Sequence, residues 1–279
     1  MKKVRKEKQD FTLRDLPKNR FLLFWDLAIH QWRSLFVVSL LMTLFALPFF
    51  AVFYLLQSLV SAAEAQGVDG AGIFALVFYW GLSLIPCMAI LHLGFVGAFE
   101  VGKSLSFQEG VLPGQSFFLG LRENWWKALI LGFVSGILIF GLMVGGLSFL
   151  GVAESSPILS GIGIGALILL YLTVESAFLF TMTQMTIYEN TLFGSLRNGF
   201  IFAFVRLPLN FVFLLLFPGT FLILLFVHPI ASYIALGVYA LFSSFGIIIW
   251  NIYSNGLFDK FINREYYPEL VGKGMAPRE

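Results

Sequence analysis

Long apolar stretches alternate with short polar ones along this chain. Runs of 18 or more mostly apolar residues recur, each sufficient to cross about 30 Å of hydrocarbon as a helix. They are continuous and lack period-2 alternation, which predicts helices rather than the strands of a barrel. Six spans are predicted, over residues 35–60, 73–101, 128–150, 159–187, 209–227 and 230–253. Pro48, Pro86 and Pro218 fall inside three of them and are expected to bend them. Amphipathic segments stand between the spans. Phe21, Trp25, Ala28 and Trp32 share one helical face, as do Phe117, Phe118, Leu121 and Trp125. Leu192, Phe193, Leu196, Phe200 and Ala203 form a third stripe, with Arg197 and Asn198 opposite. Leu257, Phe258, Phe261 and Ile262 begin a fourth. Such stripes beside charged residues predict helices lying in the headgroup region. The expected fold is all-α: a polytopic bundle of six transmembrane helices with interfacial amphipathic helices at its cytoplasmic edge.

Charge sets the orientation. Assigning the N-terminal segment, residues 102–127, residues 188–208 and the C-terminal segment to one side places nine, three, two and four Lys or Arg residues there, the full complement of 18. The other side keeps Glu64, Asp69 and Glu154. The positive-inside rule makes the basic side cytoplasmic, with both termini there. Residues 1–18 read as a basic arm, 19–265 as one membrane domain and 266–279 as a polar tail. No signal peptide is expected. Interfacial helix, outward span and inward span recur three times, over about 19–101, 115–187 and 195–253, which predicts three helical hairpins of like orientation. Ile187–Phe193 (IYENTLF) and Ile252–Phe258 (IYSNGLF) agree at five of seven positions, echoing that repeat. A pseudo-symmetry axis along the membrane normal follows, unlike the inverted repeats of many transporters.

Composition agrees: 58% of the 279 residues are hydrophobic and 12% charged, against about 25% charged in soluble domains. Cys87, the sole cysteine, excludes an internal disulfide and a cysteine-based zinc site. His30, His92 and His228 are scattered and make no metal constellation, so neither metal nor cofactor is expected. P-loop, HExxH, nucleophile-elbow and kinase signatures are missing, and the basic arm reads as a topogenic flank rather than a nucleic-acid site.

Glu175 is the sharpest candidate. A carboxylate at mid-span costs about 2.5–3.5 kcal/mol on insertion scales and needs a protein or water partner. It is either a proton, cation or polar-solute site, or a hydrogen-bonded carboxyl tying spans together through Thr173, Ser176 or Thr183. No second acid or base is visible in its sequence neighbourhood, and His92, without a carboxylate at i±4, reads as a core histidine. Gly132–Gly136, Gly141–Gly145 and the Gly161, Gly163, Gly165 run are small-residue patterns expected to pack the third and fourth spans closely. Leu257, Phe258, Phe261 and Ile262 are the candidate partner-docking face.

The segment LIPCMAILHLGFVGAFEVGKSLSFQEGVLPGQSFFLGLRENWWKALILG carries Ile85-Pro86, the small residues Gly94 to Ala98, Phe117-Phe118 and Asn124-Trp125. With YENTLFGSLRNGFIFAFVRLPLNFVFLLL and FDKFI, it resembles the YesL-like family of bacterial six-span membrane proteins over most of residues 20–265. Cys87-Met88, where small residues are usual, and the long charged arm depart from that pattern. The resemblance implies a bacterial inner-membrane accessory protein, often encoded beside carbohydrate importers of the ATP-binding cassette type, and it carries over no catalytic residues. The expectation is a non-enzymatic accessory or scaffold contacting the lipid bilayer and subunits of a membrane transport system. The alternative is a transporter or channel for a small polar solute or ion using Glu175, with an intramembrane enzyme as a third reading.

Overall fold

The computed structural model describes residues 16–214 and 229–277. Nine helices of eight or more residues occur among them: α1 Arg20–His30, α2 Trp32–Ala65, α3 Gly70–Gly81, α4 Leu84–Ser106, α5 Pro113–Gly151, α6 Pro157–Ile187, α7 Leu192–Val205, α8 Leu207–Leu214 and α9 Pro229–Phe258. No strand is present among the described residues. Five of these helices (α2, α4, α5, α6 and α9) are long and apolar enough to cross a membrane. The pair α7 and α8, bent by 98°, would supply a sixth crossing. The molecule is a polytopic helical membrane bundle. Of the fifth predicted span only 209–214 is described; the remainder, with Pro218, lies outside the described residues, as does most of the basic arm.

Local chemistry sets the helix ends. Asn19, Asp69 and Thr191 cap α1, α3 and α7, their side-chain oxygens accepting from Leu22, Gly72 and Gly194 N–H. Pro113 and Pro157 open α5 and α6, where a missing N–H leaves no bond unmade.

Three helices run in parallel toward one end of the bundle and form its centre. Against α4, α6 keeps one register: His92 meets Glu175, and the Lys103 ammonium donates to Thr186 O at 3.0 Å. Against α6, α9 is likewise parallel, with Phe180 on Trp250 and Tyr188 on Phe258. The third pair closes through Asn255, which donates to Ser106 Oγ at 3.2 Å. The antiparallel partners fill the grooves between these three. Ser39 and Phe50 of α2 meet Ser244 and Tyr239 of α9, while Phe45 of α2 stands over Gly94 of α4. Between α4 and α6 lies α5. Beside α6 and α9, α7 and α8 place Phe202 against Phe180 and Phe258. Tyr253 donates to Asn210 Oδ1 at 2.6 Å. With α2 and α5 running opposite to α4, α6 and α9, two of the predicted hairpins are present, and the first arm of the third lies mostly outside the described residues.

The elements differ from expectation in five places. First, the second span breaks at Leu82–Ser83, giving short α3 and a separate α4, and Pro86 sits in the first turn of α4. There a proline costs no intrahelical bond, so it starts the helix instead of kinking it. Pro48 lies within an uninterrupted α2. Second, the amphipathic segment 115–127 and the third span are one 39-residue helix, α5, about 58 Å long and so reaching well beyond the hydrocarbon.

Third, α7 is packed against α6 rather than standing apart from the spans. It doubles back on the last turns of α6, with a Cβ at Gly199 running into Ala177 O and Thr181 Oγ1 and Asn198 donating to Gln184 Oε1 at 3.2 Å. Its buried residues are Leu192, Ser195, Gly199, Phe202 and Ala203, whereas Phe193 is 82% exposed. Of the predicted stripe, Leu192 and Ala203 are buried, Leu196 and Phe200 half-buried and Phe193 exposed; next to lipid an apolar side chain can face outward while small residues make the close contact. Fourth, Gly132 and Gly136 seat α5 on α4 rather than on α6; Gly145 and Gly163 meet α6 and α5 side chains, while Gly141, Gly161 and Gly165 face open space.

Fifth, the expected polar tail is folded. After α9, a π turn at Asp259–Asn263 leads into a strap running to residue 277. Asp259 accepts from Arg20 at 2.5 Å, Asn263 Nδ2 at 2.8 Å and Gly272 N at 3.0 Å. Lys273 pairs with Glu109 at 2.7 Å, and Ala276 N donates to Pro17 O at 3.0 Å. Buried Tyr188 donates to Asn263 Oδ1 at 2.6 Å. Burial, with the Asp259 carboxylate adding to it, holds this phenol well above the usual range, so it stays a neutral donor.

Candidate functional site

Glu175 stands on α6 twelve residues before that helix ends at Ile187, about 18 Å along its axis. Its side chain turns inward, against α4 and α5. Ser135 of α5 donates its hydroxyl to Glu175 Oε1. The other oxygen, Oε2, faces His92 Nε2 of α4 at 3.9 Å. Tyr171, one turn earlier on α6, reaches the same Ser135 hydroxyl. Four polar side chains from three helices thus converge, with Met88 on α4 and Leu131 and Ile139 on α5, all buried, one turn away along their helices.

The imidazole has a defined tautomer. His92 Nδ1 lies 2.9 Å from Met88 O, and a carbonyl only accepts, so Nδ1 carries the hydrogen. Neutral His92 therefore presents the Nε2 lone pair to Glu175. At 3.9 Å that is too long for a direct hydrogen bond. Nε2 is fully buried and has no hydrogen-bond partner among the described residues. One proton between Nε2 and Oε2 would complete the pair. Without it, a lone pair and a carboxylate face each other in an apolar shell, an arrangement that low dielectric makes costly. Because Ser135 donates to the carboxylate, its hydroxyl serves as a positioning donor.

Two openings bracket the cluster. Away from the basic end, a crevice of about 590 Å³ lies between α2, α3, α5 and α6 and includes Gln57, Met143 and Ile168. Met143 and Ile168 stand about two turns, roughly 11 Å, from Ser135 and Glu175 on their own helices. Toward the basic end, a polar pocket of about 490 Å³ includes Glu123, Asn124, Lys127, Thr186 and Glu189. Lys127 Nζ donates to Asn124 Oδ1 at 3.1 Å. Nearby, Lys103 pairs with buried Glu100. Phe95, Phe99, Leu131 and Leu179, all buried, fill the layer between this pocket and Glu175.

The predicted site residues divide. Glu175 occupies a protein-facing position with a base and a hydroxyl beside it. His92, read as an isolated core histidine, is that base, and Ser135 and Tyr171 were not singled out at all. A signal existed: His92 and Glu175 lie 14 and 12 residues before their helices end at the same side, hence at similar depth. Of the docking candidates, Leu257 and Phe258 are buried in the core, and Phe258 closes the α6–α7–α9 junction against Tyr188 and Phe202. Ile262 is half-buried and Phe261 exposed, so the four do not form one docking face. His30 pairs with Asp26 at the surface, and His228 lies outside the described residues. Among the described residues no group of three or more His, Cys, Asp or Glu could hold a metal. Comparison of the chain with protein-family models, with curated proteins and with solved structures finds no match.

Proposed function

We propose that this protein is a membrane transport protein in which the Glu175–His92 pair binds a proton or small cation on a route between the outer crevice and the inner polar pocket. The observation that carries this reading is the facing of Glu175 Oε2 and His92 Nε2 across 3.9 Å at mid-span, with Nε2 fully buried and lacking a partner among the described residues. Ionisable groups at that depth mark ion or proton pathways by default. An acid and a base with one proton's worth of space between them are suited to take up and release that proton. The layer of Phe95, Phe99 and Leu179 would act as the inner gate. On this reading the basic end is cytoplasmic and the membrane is a bacterial inner membrane. No covalent chemistry is required, so the protein is not an enzyme.

Flux measurement tests this directly. Liposomes holding only this protein and a trapped pH-sensitive dye should acidify under an inside-negative potential faster than empty liposomes. Glu175→Gln should reduce that rate at least tenfold while leaving the yield of folded protein within about twofold. Wild-type rates equal to those of empty liposomes, both for protons and for Na+ or K+ followed with cation-sensitive dyes, would sink the proposal.

A second reading is favoured by the outward-facing aromatic edge. Phe21, Trp25, Ile29 and Trp32 are all exposed at the basic end, and the resemblance to YesL-like proteins is to accessory components. In this reading the protein is a non-enzymatic accessory of a carbohydrate import system, held by lipid-facing and inner-edge contacts. Recovery of importer subunits from native membranes in mild detergent would favour it, and recovery of the protein alone would count against it.

A further inference from the structure

At the basic end, the strap, α1 and the end of α9 enclose a concavity of about 1,030 Å³ that the transport reading leaves unused. Lys18, Arg20, Lys260, Arg264 and Lys273 line it, against one carboxylate, Asp259. Asp259 is already engaged by Arg20. Lys273 has Glu109 as its partner, but that carboxylate is not part of the lining. Among the described residues Lys18, Lys260 and Arg264 form no ion pair. So many cations around one cavity repel one another unless an anion joins them.

The walls are built rather than accidental. Lys273 is carried on a Gly-Lys-Gly turn whose glycines have φ of +70° and +83°, a left-handed conformation that side chains resist. A Cβ at Gly274 would collide with Ser106 O. The turn is pinned at Gly272 N by Asp259 and at Ala276 N by Pro17. Trp25 and Tyr266, on the helices that carry Arg20 and Arg264, are exposed, and Trp and Tyr side chains at a span's end mark the headgroup level.

We infer that this concavity binds a phosphate group, carried either by an anionic lipid headgroup or by a soluble phosphate ester. A phosphate supplies several acceptor oxygens and one or two negative charges, which matches a convergent set of ammonium and guanidinium donors. Basic pockets at the inner ends of spans are suited to such headgroups.

The test uses the full chain purified in mild detergent, with thermal stability as readout. Short-chain phosphatidylglycerol, short-chain phosphatidylcholine and glycerol 1-phosphate are titrated separately. Phosphatidylglycerol should raise Tm saturably and phosphatidylcholine should not. The Lys260→Gln/Arg264→Gln double variant should bind about 30-fold more weakly, from a factor of about five per cation. Lys18→Gln should lose part of the effect, and Lys127→Gln, in the other polar pocket, none. Equal stabilisation by glycerol 1-phosphate would identify a soluble phosphate ester as the ligand source, and its failure beside a positive phosphatidylglycerol result would identify the lipid. No stabilisation by either phosphate compound, or full stabilisation of the double variant, would overturn the inference. Flux through Glu175 is a separate readout, so either idea can fail alone.

Discussion

Glu175 and His92 illustrate how little a membrane-embedded side chain reveals about its partner until helices are placed. Each stands alone in its own sequence window. They meet because α4 and α6 run parallel with one register, the register that also brings Lys103 to Thr186 O. Ser135 completes the group from a third helix, where Gly132 and Gly136 let α5 approach α4 closely. Replacing His92 by Gln keeps a buried polar group but removes the lone pair that faces Glu175. On the transport reading, proton flux should fall at least tenfold in dye-loaded liposomes, with expression and elution volume unchanged. Unaltered flux would show that Glu175 works without the imidazole. What could be read beforehand was the cost of the buried carboxylate and hence its need for a partner; the partner's identity depended on a tertiary contact between residues 83 positions apart.

At the scale of elements, the packing of α5 separates glycines that look equivalent in sequence. A Cβ at Gly132 would stand 2.7 Å from both Ala89 Cα and Met88 O, backbone atoms that have no rotamer to change. At Gly141 nothing lies within 4 Å. Gly132→Leu should therefore force α4 and α5 apart and cost about 1–3 kcal/mol or more, seen as loss of monodisperse protein on fluorescence-detected size exclusion. Gly141→Leu should behave as wild type. The patterns themselves were plain in the sequence, but which partner each glycine serves was not, since small-residue spacing says that a helix can be approached and not by which neighbour. The stripe on α7 misled for a related reason. Of Leu192, Phe193, Leu196 and Phe200, Leu192 is buried, Leu196 and Phe200 are half-buried and Phe193 is exposed, because in lipid an apolar side chain can turn outward while Gly199 takes the close contact. Asp259 holds the strap through three acceptor contacts. Asp259→Ala should lower Tm by roughly 4–8 °C, as expected for losing a partly buried charged hub in a chain of this size.

Across the whole molecule, hydropathy was enough to locate the five helices long and apolar enough to cross a membrane, with the bent α7–α8 pair at the place of a sixth, because the need for about 20 apolar residues acts on every crossing at once. The break at Leu82–Ser83 and the single continuous α5 were not recoverable, since both depend on how far a helix is supported by neighbours outside the hydrocarbon. Topology offers a direct check. In a Cys87→Ser background, single cysteines at Arg122 and Arg197 should resist an impermeant maleimide in intact cells and react after the membrane is opened. A cysteine at Glu154 should react in both conditions. Labelling of the first two from outside would reverse the assignment of sides. The strap adds something that no single hairpin shows. Pro17 O accepts from Ala276 N and Arg20 pairs with Asp259, so α1 is tied down by residues far along the chain from it. A chain cut between α9 and the strap would keep its spans yet carry an open seam at the basic end, where membrane proteases could tell damaged copies from intact ones.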